Sequence, residues 1–191
     1  MDMRLDAQGD WLLDAERCPS PNWDERTPGA AVELIVVHGI SLPPGEFGGP
    51  WIENLFLNRL DPQAHPYFQE IAGLEVSAHV VIYRDGRVVQ YVPFSKRAWH
   101  AGQSCFRGRS ACNDFSIGIE LEGTDEQPYT DIQYRRLSAL IVALRQVYPG
   151  IAADAITGHS DIAPGRKTDP GPAFDWPRLA ALLTQDGSQL A

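Results

Sequence analysis

The sequence predicts a single α/β domain in which helices flank a mixed central β-sheet. Three observations support this prediction. Residues 33–37 form an apolar run rich in β-branched side chains, which is typical of a strand covered on both faces. Residues 76–92 alternate in hydrophobicity around Asp85-Gly86, which is the pattern of an antiparallel hairpin. Apolar residues recur at helical spacing across residues 137–148, which predicts a long core helix.

Length and composition favour one domain. The chain has 191 residues, of which 43% are apolar and 21% charged, and no Gly/Ser-rich linker divides it. We therefore expect residues 1–191 to form one domain, with a core at about residues 30–180 and an extended N-terminal arm at about residues 1–30. The Pro-rich segment 18–31 is expected to run over the surface as part of that arm.

Charge and cysteine content bear on partners and location. The net charge of −9 and the lack of a basic run argue against nucleic acid as a partner. No secretory signal pattern is present and apolar runs such as LIVV are too short to span a bilayer, so no membrane partner is expected. Three cysteines without C-x-x-C spacing indicate reduced thiols, which favours the cytoplasm. The sequence leaves the oligomeric state open, with a monomer favoured.

The first half of the chain places a histidine at the end of a strand. His38 follows the apolar run directly, and ligands of open sheets bind beyond such carboxyl ends. Residues 41–50 contain three prolines and three glycines, which predicts a shaped loop beside a site. Short helices are predicted at residues 51–59 and 65–71, with His65 on the surface.

Three residues in the middle of the chain are candidates for a site. His79 lies on the first strand of the predicted hairpin and is a third metal candidate, although a packed core histidine is the commoner case there. Trp99 and His100 are flanked by small residues, a composition suited to a pocket wall on which a sugar stacks. The same pattern fits a buried tryptophan beside a surface histidine equally well.

Residues 115–121 predict a strand that carries acidic residues on one face. Glu120 is flanked by two large apolar residues, whereas Glu122 precedes a glycine, so Glu120 is expected to be the more desolvated. Desolvation raises the pKa of a carboxyl towards the value wanted in a general base. We therefore assign Glu120 as the catalytic carboxylate, with Glu122 as the reserve.

The last third of the chain supplies further structural signals. Thr130 and Gln133 have the spacing of a capping box at the start of the long helix. A short strand at residues 155–157 leads into His159. A final helix is predicted at residues 178–183, with Asp175 as a cap.

His38, His159 and Asp169 form a candidate metal site. Two histidines and one carboxylate leave a fourth position open, which is the pattern of catalytic rather than structural zinc. A non-haem iron triad is the alternative, but its common order needs a histidine downstream of His159, and the chain has none. Lys167 stands two residues before Asp169 and is therefore tethered near the ion.

Two carboxylates on one strand also raise the possibility of a glycosidase. Glu120 and Glu122 are separated by two positions, so their carboxyl groups leave the same side of the strand. Glycosidases need carboxyl groups that flank the scissile bond. This alternative is therefore disfavoured.

These residues lie in stretches that together resemble the zinc N-acetylmuramoyl-L-alanine amidases, which are similar to phage amidase-type lysozymes and peptidoglycan recognition proteins. The stretches are His38 followed by ISLPPGEFGGPW, then VSAHVVIYRDG, RAWHAG, CNDFSIGIELEGTD and GHSDIAPGRKTDPGPAFDW. The resemblance covers about residues 18–180 and implies a mixed sheet flanked by helices. Ala78 and Asp169 match the cytoplasmic branch of the family, whereas Gly39 stands where that branch commonly has Asn.

The resemblance also implies an activity. The expected reaction is zinc-dependent cleavage of the amide between the lactyl group of 1,6-anhydro-N-acetylmuramic acid and L-alanine in muropeptides recycled through the cytoplasm, with a link to β-lactamase regulation. By position, the Zn²⁺ ligands of the family fall on His38, His159 and Asp169. Glu120 would act as general base and acid for a zinc-bound water, and Lys167 would stabilise the oxyanion. Gly39 would lie in the substrate pocket.

A different class of function stays open at this point. Some proteins similar to this fold bind muropeptides without cutting them. Such modules typically lose a metal ligand, and this chain keeps all three.

Overall fold

Ten strands and five α-helices make up residues 3–188, the part of the chain that this computed structural model describes. The strands are β1 (Glu16–Arg17), β2 (Trp23–Asp24), β3 (Leu34–Ile40), β4 (Val80–Ile82), β5 (Val88–Gln90), β6 (Arg97–Ala98), β7 (Cys105–Phe106), β8 (Arg109–Ser110), β9 (Ser116–Glu122) and β10 (Ile156–Gly158). The helices are α1 (Trp51–Phe56), α2 (Pro66–Glu70), α3 (Asp131–Val147), α4 (His159–Ile162) and α5 (Trp176–Ser188), and a 3₁₀ helix spans Cys112–Asp114.

Six of these strands form one mixed sheet in the order β1-β5-β4-β9-β3-β10. Only β4 and β5 pair antiparallel within it, and the other four pairings are parallel. The mixed α/β architecture predicted from the sequence is thereby confirmed. Because β9, β3 and β10 run parallel, their carboxyl ends reach the same edge of the sheet, which is the expected place for a site.

The two faces of the sheet are buried in different ways. One face packs against α3 and α5 through a large apolar cluster, to which the sheet contributes Ile35, Val37, Val80, Ile82, Ile117, Ile119 and Leu121. Alternate residues of the same strands point to the opposite face, where smaller clusters contain Leu34, Val36, Val81 and Val89. The polar residues of the candidate site leave this second face.

Local sequence signals account for the main elements. The side chain of Thr130 accepts a hydrogen bond from the backbone amide of Gln133, and the Gln133 side chain accepts one from the Thr130 amide, which confirms the capping box of α3. The hairpin of β4 and β5 turns at Gly86, whose positive φ of 86° favours glycine. Asp175 accepts a hydrogen bond from the amide of Arg178 and so caps α5 as predicted.

Two predictions about local structure were wrong in detail. The strand that carries His38 does not end there but continues to Ile40, because it pairs with β9 along its whole length. His65 is not simply a surface residue, since its Nδ1 accepts a hydrogen bond from the amide of Tyr67 and caps α2. A histidine cap is rarer than a Ser, Thr, Asp or Asn cap, which is why the sequence pattern did not reveal it.

The N-terminal arm is anchored rather than lying loosely on the surface. β1 extends the central sheet at β5, and β2 pairs with β6. The guanidinium of Arg26 enters the interior and donates hydrogen bonds to the backbone carbonyls of Phe94, Asn113, Asp114 and Ser116. Burial lowers the pKa of Arg26 to about 10.

The helices of residues 3–188 differ from helices that span a membrane. None of them combines the length and the apolar character that crossing a bilayer requires.

Candidate metal centre

Three elements bring the predicted ligands together at one edge of the sheet. His38 lies on β3, and His159 opens α4 directly after β10, the parallel neighbour of β3. Asp169 follows on the loop after α4, and its backbone carbonyl accepts a hydrogen bond from the amide of Ser160, which holds that loop against the start of the helix. The pairing of β3 with β10 therefore converts a separation of 121 positions between the two histidines into direct contact.

The ligand atoms form a nearly regular triangle. The Nδ1 atoms of His38 and His159 lie 3.0 Å apart, and each lies 3.1 Å from Oδ2 of Asp169. Both histidines are buried, and the Asp169 side chain is 16% exposed. Among residues 3–188 these are the three side chains whose arrangement could hold a metal ion.

The protonation of these groups suits metal binding. Burial lowers the pKa of His38 to about 4, although the hydrogen bond with Asp169 opposes this, so the ring is neutral at pH 7. Burial alone would raise the pKa of Asp169, but hydrogen bonds with His159 and His38 outweigh it and hold the pKa well below its usual range. Metal ligands must be a neutral imidazole and an ionised carboxylate, which are the forms favoured here.

The size of the triangle also fits a metal ion of the expected kind. Zinc bonds to nitrogen and oxygen are about 2.0–2.2 Å long, so tetrahedral ligands lie roughly 3.3 Å apart. The observed separations of 3.0 and 3.1 Å are close to this value. Two imidazole nitrogens and one carboxylate oxygen are donors that zinc accepts, and the same set also serves iron.

The outer ring nitrogens of both histidines have protein partners. Nε2 of His159 lies 3.2 Å from the carbonyl oxygen of Ala101, to which Arg166 also donates at 2.6 Å. Nε2 of His38 lies 2.9 Å from Nδ1 of His100. With a metal ion bound, a hydrogen on each outer nitrogen would leave the Nδ1 lone pair of each ring for the ion, in place of the hydrogen bonds to Asp169.

Glu120 stands beside this triangle on the neighbouring strand. It is the register partner of His38 across β9 and β3, so the two side chains leave the same face. Burial and the charge of Asp169 raise its pKa well above the usual value, although Lys167 opposes them. Its Oε2 atom is buried and accepts no hydrogen bond from the described residues. Because this oxygen has no partner and the pKa of its carboxyl is raised, Glu120 can accept a proton from a bound molecule.

The solvent exposure of the two strand carboxylates reverses the expected order, although desolvation raises the pKa of Glu120 as expected. Glu122 is only 3% exposed, whereas Glu120 is of intermediate exposure. The Glu122 carboxylate is covered by loop 41–50 and accepts hydrogen bonds from the amides of Gly48 and Arg84, at 2.6 and 3.2 Å. The flanking residues of the strand could not reveal this, because the covering groups come from distant segments. The Glu122 carboxylate therefore stabilises the loop and strand that surround it, whereas Oε2 of Glu120 has no partner.

An open cavity of about 580 Å³ lies over the site. His38, Glu120, Lys167 and Asp169 all line it. Its other wall is apolar and includes Leu42, Phe56, Tyr67, Ile71, Leu74 and Val76. The cavity therefore combines a polar floor with an apolar side, as small-molecule sites commonly do.

The predicted pocket residues Gly39, Trp99 and His100 also line this cavity. Trp99 is half-buried, and its amide donates a hydrogen bond to Oγ of Ser77. A Cβ atom at Gly39 would overlap the hydroxyl of Tyr129, which donates to the carbonyl of Pro170 next to Asp169. His100 is 8% exposed and directs both ring nitrogens to protein atoms.

The third metal candidate, His79, lies outside the triangle. Its Nδ1 accepts a hydrogen bond from the amide of Gly118, and its Nε2 lies 3.0 Å from the carbonyl oxygen of Lys96. It is a fully buried core histidine. The contacts of His100, Arg166 and Tyr129 around the ligands were missed, because no local pattern in the sequence indicates which distant atoms such side chains reach.

The profile of the N-acetylmuramoyl-L-alanine amidase family matches residues 28–172. The chain belongs to this amidase family. It is an N-acetylmuramoyl-L-alanine amidase, as the resemblance in its sequence implied.

Individual amidases agree with this assignment. The chain is 62% identical over 176 residues to the 1,6-anhydro-N-acetylmuramyl-L-alanine amidase AmpD of Escherichia coli (strain K12), an alignment that covers 92% of this chain and 96% of that protein. A crystal structure of a selenomethionine AmpD derivative matches with a TM-score of 0.88 and 62% identity, covering 91% of this chain and 96% of that one.

A more distant amidase structure contains a substrate. It is the complex of the N-acetylmuramyl-L-alanine amidase AmiD from E. coli with anhydro-N-acetylmuramic acid-L-Ala-D-γ-Glu-L-Lys. The TM-score is 0.58 at 27% identity, and the match covers 94% of this chain and 65% of that one. The mixed sheet and its helices are thus a shared amidase architecture.

Proposed function

We propose that this amidase hydrolyses the amide between the lactyl group of 1,6-anhydro-N-acetylmuramic acid and L-alanine in muropeptides, as a zinc enzyme of peptidoglycan recycling. One observation carries the proposal: the triangle of His38, His159 and Asp169 faces a cavity next to a carboxylate with an unpartnered buried oxygen. The name of the 62% identical E. coli relative supports the anhydro substrate. The muropeptide held by the related amidase AmiD supports the same substrate class.

His38, His159 and Asp169 would hold the zinc ion through two nitrogens and one oxygen. Bound there, zinc would supply a Lewis acid that polarises the scissile carbonyl and lowers the pKa of water. The protein's own part is to present these ligands in the required protonation state from fixed positions. The low pKa values of His38 and Asp169 support that part of the proposal.

Glu120 is the proposed proton carrier. As a carboxylate it takes a proton from the attacking water while the water oxygen bonds to the carbonyl carbon. It then gives the proton to the nitrogen of L-alanine as the carbon–nitrogen bond breaks, which releases a free amine and a lactyl carboxylic acid. Its raised pKa suits both halves of this cycle, because the same group must accept and then donate.

Lys167 is the proposed oxyanion stabiliser. It lines the cavity with the ligands, and its charge acts on both Glu120 and His38. Its backbone amide donates to the carbonyl of Ala163, which fixes the start of the side chain on the ligand loop. An ammonium in this place is a point charge for the negative carbonyl oxygen that forms during attack.

Further aspects of the function are part of the same proposal. We infer one catalytic domain that acts in the cytoplasm, a location that the three free cysteines support. The oligomeric state stays open, with a monomer favoured. The net charge of −9 supports a small-molecule partner rather than nucleic acid. The link to β-lactamase regulation stays a prediction.

The proposal is tested by incubating the purified protein with an anhydromuropeptide and following the products by mass spectrometry. We expect anhydro-N-acetylmuramic acid and a peptide with a free L-alanine amine, loss of turnover with a chelator, and recovery on adding zinc. A parallel incubation with a muropeptide that lacks the anhydro ring measures the preference for that sugar. Tight binding without products would instead favour a muropeptide-binding module.

A further inference from the structure

His100 lies behind a metal ligand rather than only along the cavity wall. Its Nδ1 is 2.9 Å from Nε2 of His38, and the two rings meet edge to face at 86° with centroids 5.0 Å apart. On the other side, its Nε2 is 3.1 Å from Oγ of Ser116. Both ring nitrogens are therefore engaged by protein atoms, which leaves neither free for a substrate.

Metal binding at His38 would fix the arrangement of hydrogens along these contacts. A metal at Nδ1 of His38 requires the ring hydrogen on Nε2, which then donates to Nδ1 of His100. His100 must in turn carry its hydrogen on Nε2, which donates to Oγ of Ser116. With metal bound, the chain from Ser116 to His38 therefore accepts the Nε2 hydrogen of His38 and holds the ring with Nδ1 towards the ion.

The surrounding structure fixes the position of the His100 ring. Gly118 lies beneath it on β9, and a Cβ atom there would overlap the ring. The backbone amides of His100 and Ala101 both donate to Oδ1 of Asn113, at 3.2 and 2.8 Å. The ring packs directly on the backbone of Gly118, and the two hydrogen bonds to Asn113 fix the backbone of His100. Together these contacts hold the ring next to His38.

We propose that His100 is a positioning residue that accepts the Nε2 hydrogen of His38 and fixes the orientation of its ring, and that it thereby strengthens metal binding. This inference rests on the proposed metal site of the amidase. Loss of a partner that orients a metal-binding histidine typically costs about 10–100-fold in metal affinity. The effect belongs to metal binding itself and does not require a substrate.

A matched pair of substitutions tests the hydrogen bond separately from packing. Asparagine and leucine have similar size, but only asparagine offers an oxygen that can accept the hydrogen of His38 Nε2. We expect His100→Leu to lose about 10–100-fold in zinc affinity, measured without substrate by competition with a chromophoric chelator. His100→Asn should retain most of the wild-type affinity.

Two further variants keep the test sound if His100→Leu folds poorly. Ser116→Ala removes only the hydroxyl at the end of the chain of hydrogen bonds and should weaken zinc binding in the same direction, but less. His79→Asn is the control, because His79 is equally buried and packs near the His100 ring but contacts none of the ligands. It should leave zinc affinity unchanged, and circular dichroism verifies the fold of each variant.

The outcomes separate this inference from the proposed function. Wild-type protein that binds no zinc would overturn the proposed function and this inference with it. Wild-type protein that binds zinc, with His100→Leu equal to it, would overturn the inference alone. Equal losses in the Leu and Asn variants would also overturn it, because they would indicate packing rather than the hydrogen bond.

Discussion

His38 and Glu120 are register partners on two parallel strands, so the proposed metal ligand and the proposed proton acceptor leave the sheet side by side. Backbone hydrogen bonds between β3 and β9 set this spacing, and neither side chain depends on a loop for its position. The other two ligands come from a helix start and a loop. The most rigid part of the fold therefore carries the pair on which the proposed proton transfer depends.

We expect Glu120→Gln to keep its metal and fold but to lose turnover by about 10²–10⁴, the usual contribution of a positioned proton-transfer group. Glu122→Gln is the matched control on the same strand face. Since Glu122 accepts hydrogen bonds from Gly48 and Arg84, its loss should lower stability more than turnover. Steady-state kinetics and thermal unfolding of both variants check this. A larger loss of kcat in Glu122→Gln would contradict the assignment.

Lys167→Ala should retain zinc and lose about 10²–10³ in kcat, because it removes a charge beside the developing oxyanion. Lys96 is the only other lysine and serves as the control. Its ammonium is 2.6 Å from Oε1 of Glu25, so Lys96→Ala should leave kcat unchanged. Kinetics on an anhydromuropeptide measure both variants. A defect of Lys167→Ala confined to KM would assign it to substrate binding instead.

Elemental analysis should find about one zinc ion per chain. The three ligand atoms fit one ion, and no second group of this kind occurs in residues 3–188. The double variant His38→Ala, Asp169→Ala should lose the metal, since one remaining imidazole cannot hold it. Stoichiometric iron in the wild-type protein, or full metal retention in the double variant, would refute the zinc assignment.

Stability should fall with acid in a way that depends on His79. Burial and the charge of Arg26 lower the pKa of His79 to about 3, whereas an unfolded histidine has a pKa of about 6.5. Between about pH 3 and pH 6.5, His79 is therefore protonated in the unfolded chain but neutral in the folded protein. The contribution of His79 to the free energy of unfolding is fully present above pH 6.5. It is lost as the pH falls towards 3, at about 1.4 kcal/mol per pH unit.

Urea unfolding of metal-free protein at pH 7 and pH 5 measures this contribution. Wild-type protein should lose about 2 kcal/mol more between these pH values than His79→Asn, which has no titrating ring. The amide of Gly118 can still donate to the asparagine oxygen. Equal pH dependence of the two proteins would show that His79 does not titrate in this way.

The elements that the sequence predicted well have local causes. The capping box of Thr130 and Gln133, the turn at Gly86 and the alternating faces of β9 each arise from residues close in sequence. The ligand set could be proposed for a chemical reason, because two histidines and an aspartate suit few other roles together. Features of this kind can be predicted because the residues that cause them are neighbours in the sequence.

The features that the sequence did not reveal depend on contacts between distant segments. The burial of Glu122 comes from loop 41–50 and from Arg84, which no property of its own strand indicates. Arg26 lies in a polar, Pro-rich stretch, yet its guanidinium enters the core, where its two terminal nitrogens donate to carbonyls 68–90 positions away. The contact between His100 and His38 likewise joins residues that are 62 positions apart. Such pairings exist only once the sheet has formed.

His38 and Asp169 are 131 positions apart, so the proposed zinc ion would link distant parts of the chain. During synthesis the first ligand emerges long before the last, so a growing chain cannot assemble the donor set. Metal uptake must therefore follow the docking of the C-terminal segment onto the finished sheet. Once bound, the ion would act as a clasp between early and late parts of the polypeptide, and the zinc content of a preparation would count its correctly closed molecules.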